Sequence, residues 1–386
     1  MRTVIKNARI VTYDKVLDGC KLYILDGKIE AITNRIEDAD LVIDASGGWL
    51  VPGFIDLHCH GGNGYEFMDA SVEDIGKIAE FHLSHGTTTL YATTLASKNT
   101  ELTCALRTLG EYLKKTSDGT IVGAHLEGPW LNPEQCGAQN PEHIRPYKKG
   151  ELSYLTAEFP FIKRISVAPE IDGGLEAADE AKAQGIISAV AHTSADFSCI
   201  ERAISHGYSL VTHLYSGMNG VRREKSYRIA GSVEAALYFD ELCVELIADG
   251  CHLPPELLRF VYKIKGSDKI CLVTDAIRAA GMPDGSKTKI GSLESGLDVV
   301  VEDGVAKLPS RESFAGSAAT FDRLYRTMAE AIGADMVALS RMASSTPAEA
   351  MRLTDRGRIE VGLRADLVIM DKNLKIKKVI LNGEQV

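Results

Sequence analysis

The hydrophobic and polar positions of this chain change periodicity between its ends and its middle. Residues 1–50 contain short runs in which apolar and polar residues alternate, at 3–11, 21–25, 28–32 and 41–44, separated by turns such as Asp26-Gly27. Alternation with a period of two is typical of β-strands with one buried face. Similar runs occur at 365–370 and 378–381, before Asn382-Gly383. The pattern predicts one small β domain built from both ends of the chain.

The middle of the chain alternates strand and helix patterns. We predict eight buried strands at 53–57, 87–94, 120–126, 164–168, 186–191, 209–212, 243–248 and 270–274. Helices are predicted at 71–84, 254–265 and 317–332, the first with Ser71 and Asp74 as a capping box and Gly86 after its end. This alternation favours an α/β fold, a (β/α)8 barrel of the TIM type. A doubly wound open sheet is the main alternative, but the first βα turn lacks the GxGxxG of dinucleotide-binding sheets.

These patterns predict the domain organisation. Residues 53–350 form the barrel, and residues 1–52 and 351–386 together form a small β-sandwich.

Polar residues follow the predicted strands where a barrel enzyme holds its chemistry, at the carboxyl ends of the strands. They are His58 and His60, Glu127, His192, His213, Asp249, His252 and Asp275. Because residues i and i+2 of a strand face the same side, His58 and His60 can reach one ion.

A metal site is the chemistry that these residue types favour. The candidate ligands are His58, His60, Glu127, His192 and His213, a set that suits one or two divalent ions. We expect zinc, with iron, manganese and cobalt as alternatives. Asp275 is not needed as a ligand, and beside a metal it can take a proton from water and deliver it to a leaving group. His252 is left to hold substrate.

Other residues of these types are given structural roles. His82, His85 and His206 lie in or at the ends of predicted helices. His125 could face the same side as Glu127, but a packing role is favoured, and alternation turns Cys59 away from the two histidines beside it. Asp249, which precedes a glycine, is interpreted as a local hydrogen-bonding residue rather than an acid–base group.

Composition narrows the class of partner. The net charge of -10 argues against a nucleic-acid backbone, and no apolar run is long enough to span a membrane. The first residues, MRTVIKNARIVTYD, predict a strand and not a signal peptide. The eight cysteines form no CxxC pair, which suits free thiols in a reducing cytoplasm. We therefore expect a cytoplasmic protein with a small-molecule substrate, without nucleic-acid or membrane partners.

The motifs that carry these residues resemble a known family. PGFIDLHCHGG resembles the first-strand motif of the amidohydrolase superfamily. HLEGPWLNP, APE, AHT, THLYSGM, DGCH, TDA and AGS, in that order, are together similar to the N-acetylglucosamine-6-phosphate deacetylases. The closing DRGRIEVGLRADLVIMD resembles the returning β domain of the superfamily, so the resemblance covers nearly the whole chain.

The resemblance implies a metal-dependent hydrolase that removes acetate from a 2-acetamido sugar phosphate. The expected reaction converts N-acetylglucosamine 6-phosphate to glucosamine 6-phosphate and acetate. On that similarity, Glu127, His192 and His213 match the main metal ligands. His58 and His60 match a second-metal pair. The other matches are Asp275 for the acid–base group, His252 for a sugar contact, and Ala138, Ser216, Gly217, Phe314, Ala315 and Gly316 for substrate-lining segments.

The resemblance also implies a homodimer. Arg223 is the nearest match to a phosphate-binding arginine, which in this family tends to serve the neighbouring subunit's site.

Three positions depart from the family pattern. Gln139 stands where the family often has a histidine, and it or His252 is a candidate donor to the oxyanion. Ser216-Gly217 replaces the usual Asn-Ala, and RREKSYR at 222–228 replaces an Arg-Glu-Pro-Gly stretch. We therefore expect the chemistry of the family to be retained, while the contacts with the sugar and the phosphate are altered.

Other functions therefore stay open. The substrate could be another or an unphosphorylated N-acetyl amino sugar, or a different amide such as an N-acyl amino acid or a cyclic imide. Cyclic-imide relatives commonly use a carbamylated lysine where this chain has Glu127, which favours the sugar deacetylase. A non-catalytic binding relative would typically lack a ligand or the acid–base group, and neither is missing.

Overall fold

Strands and helices alternate through the middle of the chain, as the residue pattern predicts. The computed structural model describes residues 1–35, 37–116 and 119–386. The strands are β1 (Arg2–Lys6), β2 (Arg9–Val11), β3 (Val16–Leu17), β4 (Lys21–Leu25), β5 (Lys28–Thr33), β6 (Leu41–Asp44), β7 (Trp49–Pro52), β8 (Phe54–Cys59), β9 (Gly61–Gly62), β10 (Tyr65–Glu66), β11 (Thr87–Thr94), β12 (Ile121–Glu127), β13 (Ile162–Val167), β14 (Ile187–Val190), β15 (Tyr208–Val211), β16 (Arg222–Glu224), β17 (Tyr227–Ile229), β18 (Cys243–Leu246), β19 (Ile270–Leu272), β20 (Lys287–Ile290), β21 (Leu297–Glu302), β22 (Val305–Lys307), β23 (Leu367–Met370), β24 (Ile376–Leu381) and β25 (Glu384–Gln385).

The helices lie mainly between the strands of the middle region. They are α1 (Val72–Ser84), α2 (Asn99–Lys115), α3 (Glu151–Glu158), α4 (Gly174–Ala183), α5 (Phe197–His206), α6 (Ser232–Tyr238), α7 (Pro255–Lys265), α8 (Phe321–Ile332), α9 (Met336–Ser340) and α10 (Thr346–Ala350). Short 3-10 turns occur at Pro133–Gln135, Pro141–His143 and Ser267–Lys269, and a π-helical segment, Arg341–Ser345, joins α9 to α10. Within the described ranges, no helix is both long enough and apolar enough to cross a membrane.

Eight parallel strands form the barrel. Their order is β8-β11-β12-β13-β14-β15-β18-β19. Beyond β19 the chain returns to β8, where the Asp275 N–H donates to the His58 carbonyl at 2.8 Å. Every residue of β8 and β11 is buried, as expected for strands covered on both faces. The barrel prediction is confirmed, and the open sheet is excluded.

The predicted starts of two helices can be compared with the observed ones. Helix α1 begins at the predicted capping box, in which the Ser71 side chain accepts the Asp74 N–H and the Asp74 carboxylate accepts the Ser71 N–H. Helix α8 begins at Phe321, so the prediction of a start at residue 317 is wrong. Ser317 instead donates its N–H to the Asp275 carbonyl and its hydroxyl to the Thr274 carbonyl, which ties this segment to the end of the eighth strand.

Both ends of the chain supply the small β-sandwich. One sheet has the order β5-β4-β1-β6 and the other β25-β24-β23-β7-β2-β3, in which β7 pairs antiparallel with β23. The predicted run at 3–11 is two strands, because Asn7 adopts a φ of 55° between them. The boundaries at residues 52 and 350 stay a prediction.

Three antiparallel elements were not predicted, and the first of them is the two-stranded pair β9–β10, which follows the first barrel strand. The hairpin β16–β17 follows the sixth barrel strand, and the three-stranded sheet β20-β21-β22 follows the eighth. The sheet β20-β21-β22 is joined to the barrel mouth through Gly291. The Gly291 N–H donates to Glu66 and its carbonyl accepts from Arg278, and both hydrogen bonds are 2.5 Å long. Ile290, at the end of β20, thereby becomes one wall of the cavity described below.

Candidate active site

A cavity of about 180 Å³ opens at the carboxyl ends of the barrel strands. Twelve of the residues predicted for the site line it: His60, Glu127, Ala138, Gln139, His192, His213, Ser216, Gly217, His252, Asp275, Phe314 and Gly316. Four lining residues were missed: Leu95, Gly137, Ile290 and Ser313. Leu95 directly follows strand β11, so inspecting every strand end would have found it. Ile290 and Ser313 lie outside the barrel pattern and carry no such signal.

Glu127 lies at the centre of a buried cluster on the cavity floor. Its Oε1 is 2.9 Å from His213 Nε2, 3.2 Å from His192 Nε2 and 3.6 Å from His58 Nε2. Its Oε2 is 3.3 Å from His60 Nε2. The five residues lie at the carboxyl ends of four strands of one barrel, β8, β12, β14 and β15. This explains why residues separated by up to 155 positions (58 to 213) meet.

Asp275 contacts the same two histidines at the end of strand β8. Its Oδ1 is 3.2 Å from His60 Nε2 and 3.4 Å from His58 Nε2. Two ligand groups therefore share His58. One contains Glu127 and His213, and the other contains His60 and Asp275.

The hydrogen bonds of the rings decide whether the cluster fits a metal ion. His192 Nδ1 lies 2.7 Å from the Gln135 carbonyl, and His60 Nδ1 lies 3.2 Å from the Thr93 carbonyl. A carbonyl only accepts, so each Nδ1 carries the hydrogen and a neutral ring presents its Nε2 lone pair to Glu127. Lone pairs and carboxylate oxygens at these distances repel each other unless a cation lies between them. The donor set therefore fits a divalent ion that accepts nitrogen and oxygen ligands.

Without a cation between them, the carboxylates of the cluster would draw protons onto the two histidines at the end of the first barrel strand. Burial by itself lowers the pKa of His58 and His60, but the neighbouring carboxylates outweigh it and raise these pKa values to about 10 and about 9. Burial raises the pKa of Glu127, while the charge of His58 and the contacts with His192 and His213 hold it well below its usual range. The carboxylate stays ionised and draws positive charge to the cluster.

The backbone is bent to deliver three of these side chains. His192, His213 and Asp275 have φ angles of 42°, 30° and 47°. Such left-handed conformations cost on the order of 1–3 kcal/mol each and persist where the surroundings enforce them. Gly217 is part of the same packing, because a Cβ there would lie 2.7 Å from His192 Nδ1.

Gln139 is held against the cluster by both ends of its amide. Its Oε1 accepts the Ala96 N–H at 2.8 Å, which fixes the orientation of the amide. Its Nε2 then donates to Glu127 Oε2 at 2.6 Å. This chain thus places a neutral donor beside the central carboxylate.

A second polar layer lies beneath the floor. Arg164 and Glu245 are both fully buried and form an ion pair. Glu245 Oε2 lies 3.5 Å from His58 Nδ1 and 3.4 Å from the His213 N–H, so it contacts the underside of two candidate ligands. His125 belongs to this layer, with Nε2 2.7 Å from the Ser166 hydroxyl. It does not line the cavity, in agreement with the packing role expected for it.

Three predicted residues lie outside the cavity. His58 is fully buried below His60 and contacts the cluster from beneath. Ala315 is buried against the β20-β21-β22 sheet, where its N–H donates to the Ala306 carbonyl. Arg223 is exposed on the β16–β17 hairpin and does not line the cavity of its own chain. Cys59 turns away from both histidines towards His82, 3.2 Å from its Nε2.

Comparison with known proteins places this geometry in a family. The model of the amidohydrolase family matches residues 49–386. The N-acetylglucosamine-6-phosphate deacetylase of Lysinibacillus sphaericus is 32% identical over 383 residues, 98% of this chain and 96% of its own. The chain belongs to the amidohydrolase family, among its N-acetylglucosamine-6-phosphate deacetylases.

Two further comparisons bear on the deacetylase family. The N-acetylgalactosamine-6-phosphate deacetylase of Escherichia coli O157:H7 is 31% identical, over 100% of this chain and 99% of its own. The N-acetylglucosamine-6-phosphate deacetylase of Mycobacterium smegmatis has been solved as a variant in complex with N-acetyl-D-glucosamine-6-phosphate. It is 30% identical and superposes with a TM-score of 0.90 over 100% of this chain and 98% of its own. Relatives of both sugar classes are thus about equally similar to this deacetylase-family chain.

Proposed function

We propose that this chain hydrolyses the acetamido group of a 2-acetamido sugar 6-phosphate. The preferred substrate is N-acetylglucosamine 6-phosphate, and the products are glucosamine 6-phosphate and acetate. One observation carries the proposal: imidazole lone pairs and the Glu127 carboxylate converge on the floor of a cavity that also contains Asp275. The names of the full-length relatives supply the substrate class.

The residues that would hold the metal are Glu127, His192 and His213, with His58 and His60 for a second ion. We propose zinc, because imidazole and carboxylate ligands suit it, with iron, manganese and cobalt as alternatives. A divalent ion bound there polarises the acyl carbonyl and lowers the pKa of water.

Asp275 supplies the proton transfers. Burial raises its pKa, but the charge of His58 and the contact with His60 lower it, so the group starts as a carboxylate and can accept a proton. The water oxygen bonds to the acyl carbon as Asp275 takes its proton. The bond from carbon to nitrogen then breaks, and Asp275 returns the proton to the amine nitrogen. Acetate and the free amino sugar leave.

Gln139 is proposed to stabilise the intermediate. Its orientation is fixed by the Ala96 N–H, and one of its two amide hydrogens is used by Glu127. The other is free to donate to the oxyanion, a contribution that is typically worth about 2.7–4 kcal/mol of activation free energy.

Recognition of the phosphate is proposed to need a second subunit. Among the described residues that line the cavity there is no lysine or arginine. The hairpin β16–β17 carries Arg223 directly opposite Arg228, and both are exposed. Like charges in this position are destabilising unless an anion or a partner neutralises them, and a lone two-stranded hairpin is marginal in water. We therefore propose a homodimer in which the hairpin of one subunit serves the phosphate in the cavity of the other.

A second substrate has support of its own. The N-acetylgalactosamine-6-phosphate deacetylase is 31% identical to this chain, against 32% for the relative named for the glucosamine sugar. The galacto epimer is therefore the alternative substrate.

Acetate release tests these proposals directly. The four substrates are N-acetylglucosamine and N-acetylgalactosamine, each with and without the 6-phosphate. Turnover should require the phosphate, stop on chelation and return when a divalent ion is added. Full activity in rigorously metal-free protein would contradict the mechanism, and equal kcat/KM with and without phosphate would contradict phosphate recognition alone.

A cytoplasmic location is also proposed. All eight cysteines are free thiols, which suits a reducing compartment. Fractionation of the source cells with an antibody to the chain tests it.

A further inference from the structure

A buried acid–histidine pair follows the seventh barrel strand. Asp249 Oδ2 lies 2.9 Å from His252 Nδ1, and the two side chains are 0% and 5% exposed. Asp249 Oδ1 accepts the backbone N–H groups of Cys251 and His252, at 2.9 Å and 2.8 Å. The Asp249 carbonyl accepts from Arg323. The carboxylate is therefore held at both oxygens and cannot turn.

The protonation of the pair follows from these contacts. Burial raises the pKa of Asp249, but the hydrogen bonds from His252 and the backbone lower it below the usual value, so it remains a carboxylate. A carboxylate only accepts, so His252 Nδ1 carries the hydrogen. In its neutral form such a ring has a lone pair on Nε2, and within the described part of the chain no protein group hydrogen-bonds to that atom.

The surroundings of Nε2 suit a sugar. His252 lines the cavity, and its ring centroid lies 4.6 Å from that of Phe314, which lines the cavity beside it. The aromatic face can pack against the apolar side of a pyranose, and the unpaired acceptor beside it can bind a ring hydroxyl.

We propose that Asp249 is a positioning residue: it fixes His252 so that Nε2 accepts a hydrogen bond from a sugar hydroxyl. The inference rests on the proposed function and deepens it, because it assigns the direction of one hydrogen bond. A hydroxyl that donates is bound, and a group of the same size that can only accept is rejected.

The variant Asp249→Asn reverses that direction. The two backbone N–H groups at Oδ1 require an oxygen, so the amide nitrogen takes the other position and donates to His252 Nδ1. The ring then carries its hydrogen on Nε2 and becomes a donor towards the cavity.

The test uses analogues of N-acetylglucosamine 6-phosphate in which fluorine replaces the hydroxyl at C1, C3 or C4, since fluorine cannot donate. In the wild-type protein, kcat/KM should fall at least about tenfold at one of these positions. In Asp249→Asn, kcat/KM for the parent substrate should fall, mainly because KM rises. The value of kcat/KM for the parent should then exceed that for the analogue fluorinated at that position by no more than about threefold. His252→Gln, which keeps a side chain that can accept, serves as the matched variant and should retain part of the discrimination.

Two outcomes overturn the inference. A merely structural Asp249 would reduce kcat/KM for parent and analogue equally and leave their ratio unchanged. Nitrogen NMR of isotope-labelled histidine in the wild-type protein, with the His252 signals assigned by their loss in His252→Gln, reads the tautomer without turnover. Hydrogen on Nδ1 is expected, and hydrogen on Nε2 refutes the inference even where Asp249→Asn fails to fold. Absence of deacetylation by the wild type would instead refute the proposed function, so the two failures are distinguishable.

Discussion

Arg164 links the stability of the barrel to the floor of the site. Its guanidinium is fully buried and donates to the Glu245 carboxylate, to the Leu57 carbonyl at 3.1 Å and to the Thr212 hydroxyl at 3.0 Å. Glu245 is also fully buried and touches the His213 N–H with its other oxygen. Arg164→Met keeps most of the side-chain length and leaves a buried carboxylate without its cation.

The expected cost is large. Removing one partner of a buried ion pair destabilises a protein by about 3–5 kcal/mol, against a total stability of about 5–15 kcal/mol. At roughly 2 °C per kcal/mol for a large domain, Tm falls by about 6–10 °C. Glu245→Gln should cost about as much, because it leaves a buried guanidinium. The double variant removes both charges, and its cost should be about 1–2 kcal/mol, well below the sum of the single costs.

Urea unfolding followed by circular dichroism measures these free energies. The wild type, the two single variants and the double variant are compared after chelation and at one protein concentration. Chelation is needed because an ion that binds only the folded state would add its own stabilisation. The exposed pair of Arg107 and Glu158 gives a matched control, in which Arg107→Met should change stability by less than about 1 kcal/mol. Single effects of Arg164→Met and Glu245→Gln that simply add in the double variant would refute the coupling of the two charges.

Four further outcomes are expected. Glu127→Gln should lose bound metal and turnover together, as metal analysis and acetate release will measure; retained metal would contradict its central place in the cluster. Asp275→Asn should lower kcat about a hundred- to ten-thousand-fold while the ion at Glu127 stays bound, and near-native turnover would assign the proton transfers elsewhere. Arg223→Ala should raise KM for the phosphorylated sugar more than it lowers kcat, and unchanged KM would remove this arginine from phosphate binding. Burial lowers the pKa of His82 to about 4, so the unfolded chain binds this proton first. The free energy of unfolding should therefore fall by up to about 3 kcal/mol as pH drops from about 6.5 to about 4, and His82→Gln, unlike a change at half-buried His206, should reduce that loss.

The barrel strands could be predicted because they are buried on both faces. Such strands carry nearly continuous apolar runs, and the observed bounds, for example Thr87–Thr94, agree with the runs to within about three residues. The hairpin β16–β17 was missed because its strands are exposed or half-buried and mix polar and apolar residues. The sheet β20-β21-β22 was missed because it lies outside the alternation of strands and helices that predicts the barrel, although Val299, Val301 and Ala306 are buried in it. The start of α8 was placed too early for a different reason: Ser317 is held by backbone contacts to the eighth strand, which no local pattern contains.

The positions of the candidate ligands also follow from the sequence. A polar residue directly after a buried strand must lie at the barrel mouth, and this rule alone brings His60, Glu127, His192 and Asp275 to one cavity. The rule predicts where a side chain lies, but it does not predict which of its atoms faces which neighbour. The interpretation of Asp249 as a local hydrogen-bonding residue agrees with its bonds to the Cys251 and His252 N–H groups, but the rule did not predict its contact with the His252 ring.

The sequence by itself therefore determined the barrel, the order of its strands and most of the residues at its mouth, because burial periodicity and strand ends are local properties. Only the tertiary structure decided that Gln139 is oriented by the Ala96 N–H, 43 positions away, and that Arg164 pairs with Glu245, 81 positions away. Closing eight strands into one barrel brings residues that are distant in the chain to within hydrogen-bonding distance, and hydrogen-bond direction depends on those final distances and angles.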